Sequence, residues 1–281
     1  MSEQSAAGPA TAGPATVGPA TVSPATAGPA PVGPVTLAID IGGTNLKAGL
    51  LDADGKMLGE RVRVPTPHEA LPAKVVELLV TLVRPLGTFS RVSVGFPGVV
   101  RQGVVVTAPN LGTQHWANFA LADTLAQTLG QPVRMLNDAT VQGLGVIGGQ
   151  GLECVITLGT GFGFALYQDG RLSPHLEMGQ HIARRRLTYD LYVGDAARNE
   201  LGKKRWLRRV DRTIEALRVL TNFDTLYVGG GNARLIKAVM PADIRLISNE
   251  AGITGGVKLW AAALDDAFAG APRAEGTDRP V

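Results

Sequence analysis

The chain of 281 residues is 45% hydrophobic with a formal net charge of +3, a composition that can bury a full core and can divide into two lobes. Its apolar runs are broken by Gly, Pro or charge well before the ~20 residues a bilayer span requires, which excludes a membrane helix. A single cysteine, Cys154, excludes an internal disulfide; the first Lys or Arg is Lys47, so the basic start of a secretory signal is missing and a cytoplasmic setting is expected.

Residues 6–34 repeat a five-residue unit, "AAGPATAGPATVGPATVSPATAGPAPVGP", whose prolines block helix and sheet and whose small side chains offer no core. Residues 1–34 therefore read as a disordered tail, a polyproline-like spacer without the basic residues of a nucleic-acid arm. Folding is expected to begin near Val35. "TLAIDIGG" and "LKAGLLD" then form a hairpin whose Gly-Gly turn is expected to adopt positive φ. "RVRVPTP" alternates as a third strand. Val75, Val76, Leu78, Leu79, Leu82 and Val83 recur at helical spacing, and "RVSVGFPGVV" returns to a strand that ends in a Pro-Gly turn.

Farther on, "FALADTLAQTLG" is an amphipathic helix closed by Gly130, "PVRMLND" a strand, "ATVQGLGVIGG" a glycine-rich helix and "CVITLGTGFGFALYQDG" a second hairpin. Cys154 sits in that apolar run as a small buried hydrophobe. From Asp190 to Leu220 the pattern is helical, "TLYVGGG" is a strand feeding a glycine turn, and Gly256 to Phe268 predicts a closing helix. The expected class is α/β, with two lobes around a central cleft. Residues 35–118 would form the first lobe and 119–254 the second, with 255–270 packing back on the first.

The turns carry the chemistry. A hairpin turn rich in Gly and hydroxyl groups points several backbone N–H groups into one concavity, which suits phosphate oxygens. "DIGGTN", residues 40–45, is one such turn and "LGTGFG", residues 158–163, is another; facing each other, they would grip a phosphoryl chain from both sides. Asp40 would hold Mg²⁺, through water, because that ion keeps much of its hydration shell. Neither glycine string fits GxGxxG between strand and helix, so a dinucleotide reading is weak. Asp138, ending the strand "VRMLND" ahead of a helix, is the candidate general base, with helix N-capping as the competing role for the same residue. Asn110 and Asn137 offer amides that suit sugar hydroxyls or turns equally.

Together "DIGGTNLKAGLLD", "VGFPGVV", "TAPNL" followed by Trp116, "LNDA", "LGTGFGFAL" and "LYVGGGNARLI" resemble the ROK family of sugar kinases, from about Leu37 to Trp260. "GKKRW" with the downstream "VGGGN" resembles its polyphosphate-using glucokinase branch. The resemblance implies an actin-like, ribonuclease H-like two-lobe sugar kinase fold and Mg²⁺ as cofactor. It implies polyphosphate or ATP as donor, a hexose as acceptor, and a homodimer with no specific nucleic-acid or membrane partner. It assigns Asp138 as catalytic residue, and Asp40, Gly42, Gly43, Thr44, Asn45, Lys47, Gly159, Thr160, Gly161, Gly229, Gly230 and Gly231 to the phosphates or nucleotide. Asn110, Asn137, Asp138, Glu177, Gln180 and Asp190 are assigned to the sugar.

Two departures stand out. The family's Glu-x-Gly-His element reads Glu177, Met178, Gly179, Gln180, so Gln replaces the sugar-binding His, and His181 would point elsewhere. Asp190 stands where the branch has Glu. His175 reads as a surface or capping histidine, and one cysteine cannot build the family's zinc loop, so no structural zinc is expected. Residues 184–212 hold ten Lys or Arg against four Asp or Glu, and Lys203, Lys204 and Arg205 are expected to line a polyphosphate groove, or else a solvated helix face. The sequence thus favours a hexose kinase that transfers to the 6-hydroxyl of glucose. Its alternatives are a catalytically weakened sugar-binding relative and, less favoured, a ROK-type transcriptional regulator, which would need an N-terminal DNA-binding domain where this chain has a Pro-rich tail.

Overall fold

The computed structural model describes residues 33–248 and 251–268; the expected tail falls outside these up to residue 32. Two five-stranded sheets are built to the same plan. In the first, Met57–Pro65, Asn45–Leu51 and Thr36–Ile41 run antiparallel in that order, and Arg91–Phe96 and Val133–Asn137 continue it in parallel. In the second, Arg171–Leu172, Phe162–Gln168 and Leu152–Leu158 are antiparallel, then Thr225–Gly229 and Ile244–Leu246 add in parallel. Both hairpins fall where strand alternation and glycine turns require them.

The first sheet is covered by two helices, Pro72–Val83 and Leu121–Leu129, whose Val75, Leu79, Leu121 and Leu125 join Leu37, Ile39, Val92 and Val94 in one core. Pro72 occupies the first helical position, where a missing N–H costs nothing, and Gly130 closes the second helix with φ 69°. The second sheet packs on the 19-residue helix Lys203–Thr221 through Trp206, Val210, Ile214 and Leu217. Cys154 is buried in that core, and burial pushes its thiol up to about 11, the inert state expected of it.

The short helix Asp138–Leu144 touches both sheets. Tyr167 of the second sheet donates its hydroxyl to the Thr140 carbonyl at 2.6 Å, and Ala139 shares an apolar cluster with Val155, Ala165 and Tyr227. The other flank is the turn Gly255–Trp260, where the Gly256 carbonyl accepts from Ser93 at 2.7 Å and Trp260 donates to that same hydroxyl at 2.9 Å. Among the described residues no helix is long and apolar enough to cross a membrane.

Three expectations are corrected. Val133–Asn137 pairs with Arg91–Phe96, so the first sheet extends well past the expected boundary at residue 118; a helical crossover returns the chain to a parallel neighbour. The expected closing helix is instead two 3₁₀ turns, Gly255–Trp260 and Ala262–Leu264, followed by Asp265–Phe268, with residues 269–270 outside the described range. Neither Gly42 nor Gly43 has positive φ. Their lack of a Cβ serves close approach: one on Gly42 would lie 2.9 Å from the Asn45 carbonyl, and one on Gly43 3.3 Å from Asn110 and 3.5 Å from Thr160.

Candidate active site

The two hairpin turns meet across a cleft of about 480 Å³. Thr44 and Thr160 hydroxyls lie 2.9 Å apart. Each turn is closed by its own backbone, Gly42 N–H to Asn45 and Gly159 N–H to Gly161. Among the described residues the N–H groups of Gly43, Thr44, Thr160 and Gly161 have no backbone partner, which leaves them for an anion between the turns. Thr66 braces the first turn, its hydroxyl donating to Gly42 at 2.6 Å and its N–H to Thr44 at 3.0 Å. Lys47 pairs with Asp40 at 2.7 Å.

At the cleft floor stands Asp138, the first residue of its helix. The capping role belongs to its neighbour: the Asn137 side-chain oxygen accepts from Ala139 at 3.0 Å and Thr140 at 3.3 Å. Asn137 also donates to the carbonyls of Gly98 at 3.2 Å and Phe96 at 3.5 Å. These hydrogen bonds give Asn137 a structural role beside its place in the cleft lining. Asp138 is thereby freed of capping. Burial, and then the nearby Asp40 charge, push its pKa up to about 7 against the pull of the Ala139 N–H; Glu177 raises it further and Lys47 lowers it.

Asn110, Glu177 and Asp190 line the same cleft. The Asn110 amide has no hydrogen-bond partner among the described residues and is open to a ligand. Glu177 faces His175 Nε2 at 3.4 Å, while His175 Nδ1 is buried without a partner among the described residues. Asp190 is tied on both oxygens, accepting from the Phe162 N–H at 2.7 Å and from Gln180 at 2.7 Å. Burial raises its pKa, and the Phe162 N–H opposes that. Gln180 is exposed and lies outside the cleft lining, so its expected place among the sugar contacts is corrected: it holds Asp190. His181 stacks toward Tyr189 at 6.5 Å, also away from the lining.

Of the "VGGGN" segment, Gly230 and Gly231 line the cleft and Gly229 does not. Gly229 ends a strand, where a Cβ would meet Gln142 at 2.8 Å, so its expected phosphate contact is corrected to close packing. Asn232, which sequence reasoning left out of the site, donates to Asp195 at 2.8 Å and to the Gly159 carbonyl at 3.4 Å and accepts from Arg198 at 2.8 Å. These three side chains hold the second turn from below; the one visible signal was an Asn directly after three glycines. Lys203, Lys204 and Arg205 start an exposed helix end and are not among the residues that line the cleft. Arg61, Arg63, Arg198 and Arg234 line the cleft instead.

The ROK family profile matches residues 36–181. The chain is 32% identical over 237 residues to the polyphosphate glucokinase of Mycobacterium tuberculosis strain H37Rv, covering 77% of this chain and 88% of that one. The crystal structure of inorganic polyphosphate/ATP-glucomannokinase from Arthrobacter sp. strain KM superposes with a TM-score of 0.73 at 33% identity, covering 80% of this chain and 98% of that one. A ROK family glucokinase from Streptomyces griseus, solved with glucose and AMPPNP, shares the fold with a TM-score of 0.67 at 21% identity, over 80% of this chain and 98% of its own.

Proposed function

The chain belongs to the ROK family and is a sugar phosphotransferase, and from that premise we propose that it moves the terminal phosphoryl group of polyphosphate or ATP to the 6-hydroxyl of glucose or a related hexose. The observation that carries this reading is the Asp138 carboxyl, at the cleft floor between the two turns, with a pKa near 7. A base works best when its pKa matches the operating pH. Asp138 would accept the proton of the attacking hydroxyl as that oxygen bonds to the terminal phosphorus and the bond from phosphorus to the donor's bridging oxygen breaks. Charge on the transferring group is met by the unpaired N–H groups of both turns and by Lys47.

Asn110, Glu177 and Asp190 would orient the sugar, with Asp190 held by Gln180 and the Phe162 N–H. Asp40 beside the first turn fits the mode in which Mg²⁺ is held by one or two carboxylates, waters and substrate phosphates. When bound, that ion would neutralise donor oxygens. A second reading, a weakened sugar-binding relative, is favoured by one observation: Gln180, in the position of the family's sugar-binding His, is bonded to Asp190 and is not part of the cleft lining. The reading includes a cytoplasmic homodimer, which sedimentation at assay concentration tests.

A panel of polyphosphate and ATP against glucose, mannose and N-acetylmannosamine, with and without Mg²⁺, separates the two readings. The kinase reading expects sugar 6-phosphate with glucose and at least one donor, dependent on Mg²⁺. Sugar binding without product under every condition would favour the weakened relative.

A further inference from the structure

Of the five cations that line the cleft, Lys47, Arg61, Arg63, Arg198 and Arg234, two are already matched. Lys47 pairs with Asp40, and Arg198 with Asp195 and Asn232. Arg61 and Arg63, on the outer strand Met57–Pro65, line the cleft with no ion-pair or hydrogen-bond partner among the described residues. The register explains their aim. Asp40 lies opposite Lys47, and Lys47 opposite Arg63, so the three side chains form a row on one face of the sheet. Val62 and Val64 pack toward the core on the other face, which puts Arg61 beside Arg63 by strand alternation.

Like charges directly opposed across strands destabilise a sheet. Here Asp40 compensates Lys47 alone, and Arg63 and Arg61 extend the positive row outward. A row of uncompensated cations leading from a phosphate cradle to an open sheet edge matches an anion whose charges repeat along its length. Resting on the kinase reading above, we propose that Arg63 and Arg61 form the track for the phosphate units of a polyphosphate donor behind the one that reacts. The row starts at Asp40, and Arg63 stands two strands away, about 10 Å at ordinary strand spacing. Among the described residues no strand lies beyond it, so the track is open-ended. A nucleotide has three phosphates and then an uncharged ribose and base, so it gains less from the outer arginines than a long chain does.

The test uses the full chain with both arginines neutralised, Arg61→Gln with Arg63→Gln, and a second variant with Lys203→Gln, Lys204→Gln and Arg205→Gln. All five side chains are exposed, and thermal melting verifies folding. Donors are long-chain polyphosphate, tripolyphosphate and ATP. The track predicts that the double variant raises KM for long-chain polyphosphate about tenfold, which is about 1.4 kcal/mol, and raises KM for ATP by a much smaller factor. Its polyphosphate KM should also depend less on salt. The triple variant should shift polyphosphate KM less than about twofold. Equal shifts for both donors, an unchanged polyphosphate KM, or a polyphosphate effect that follows the triple variant instead would overturn the track.

Binding of fluorescently labelled polyphosphate without sugar keeps the two ideas apart. Binding lost in the double variant supports the track even where no sugar is phosphorylated, an outcome that sinks the kinase reading alone. An ATP-driven kinase that binds no polyphosphate sinks the track alone, as does single-stranded DNA that competes as well as unlabelled polyphosphate.

Discussion

Asn137 and Asp138 are adjacent carboxamide and carboxylate, and their division of labour defines the chemistry. Asn137 caps the helix and pins the Gly98 turn, so Asp138 keeps its charge for the cleft. Asn137→Ala removes a cap worth ~0.5–2 kcal/mol and takes the side-chain donor from the Gly98 carbonyl, while the Phe96 carbonyl keeps the Gly98 N–H; urea denaturation should report a loss toward the upper end of that range. Asp138 should set the pH dependence. With its pKa raised to about 7, kcat/KM should climb with pH to a plateau through an apparent pKa near 7. The sign for stability runs the other way. A carboxyl raised from 3.8 to about 7 stabilises the fold fully below 3.8, and that contribution is lost as pH rises through 7. Asp138→Asn should therefore be more stable to urea than the parent in mild alkali, by at most about 4 kcal/mol because the carboxyl is partly open to the cleft, and the gap should close as the pH falls toward 4.

At this scale the sequence exposed Asp138, since a strand followed directly by Asn-Asp and a helix sets a carboxyl at a strand end. It could not say which of the two residues caps, because either side chain fits. Nor could it show that Gln180 turns to Asp190, which depends on a turn and a helix ten residues apart.

Among the elements, the hairpins were legible because their signal is local: alternating apolar residues on either side of a glycine turn. Parallel pairings were not, since Thr225–Gly229 meets Leu152–Leu158 across a long intervening chain, and the three-residue strand Ile244–Leu246 is too short for periodicity to register. The boundary at residue 118 failed for the same reason, although strand, helix and strand in succession are the makings of a crossover. Glycine told more about packing than about turns. A Cβ on Gly255 would press into the Val141 carbonyl and sit 3.1 Å from the Gly145 nitrogen, both on the segment that carries Asp138. Gly255→Ala should cost about 2–4 kcal/mol by differential scanning calorimetry and lower kcat more than it raises KM, since Asp138 shifts with its helix.

Across the whole molecule, two sheets of identical plan present equivalent turns to one cleft, and the helix Asp138–Leu144 is the piece both sheets share. The arrangement explains why the site needs both halves: one turn without the other offers N–H groups from a single side. Ligands that bridge the cleft should consequently stabilise the fold more than either does alone. Glucose with a non-transferable donor should raise Tm beyond the sum of the separate mass-action shifts, the excess being the coupling between the two sites; simple additivity would mean the two sites do not sense each other. The repeated strand-turn-strand device was visible in the sequence, which is why the cleft and its phosphate cradles could be drawn from it. The arginines that line the cleft, Arg61, Arg63, Arg198 and Arg234, were not legible, because local charge density is easy to see and sheet register is not.

The proton-accepting role of Asp138 is tested most directly by the single-turnover rate of phosphoryl transfer to glucose in Asp138→Asn, measured beside the glucose dissociation constant. A drop of at least about 10²-fold with sugar affinity within about threefold of the parent is the predicted result. Transfer at the parent rate would contradict it.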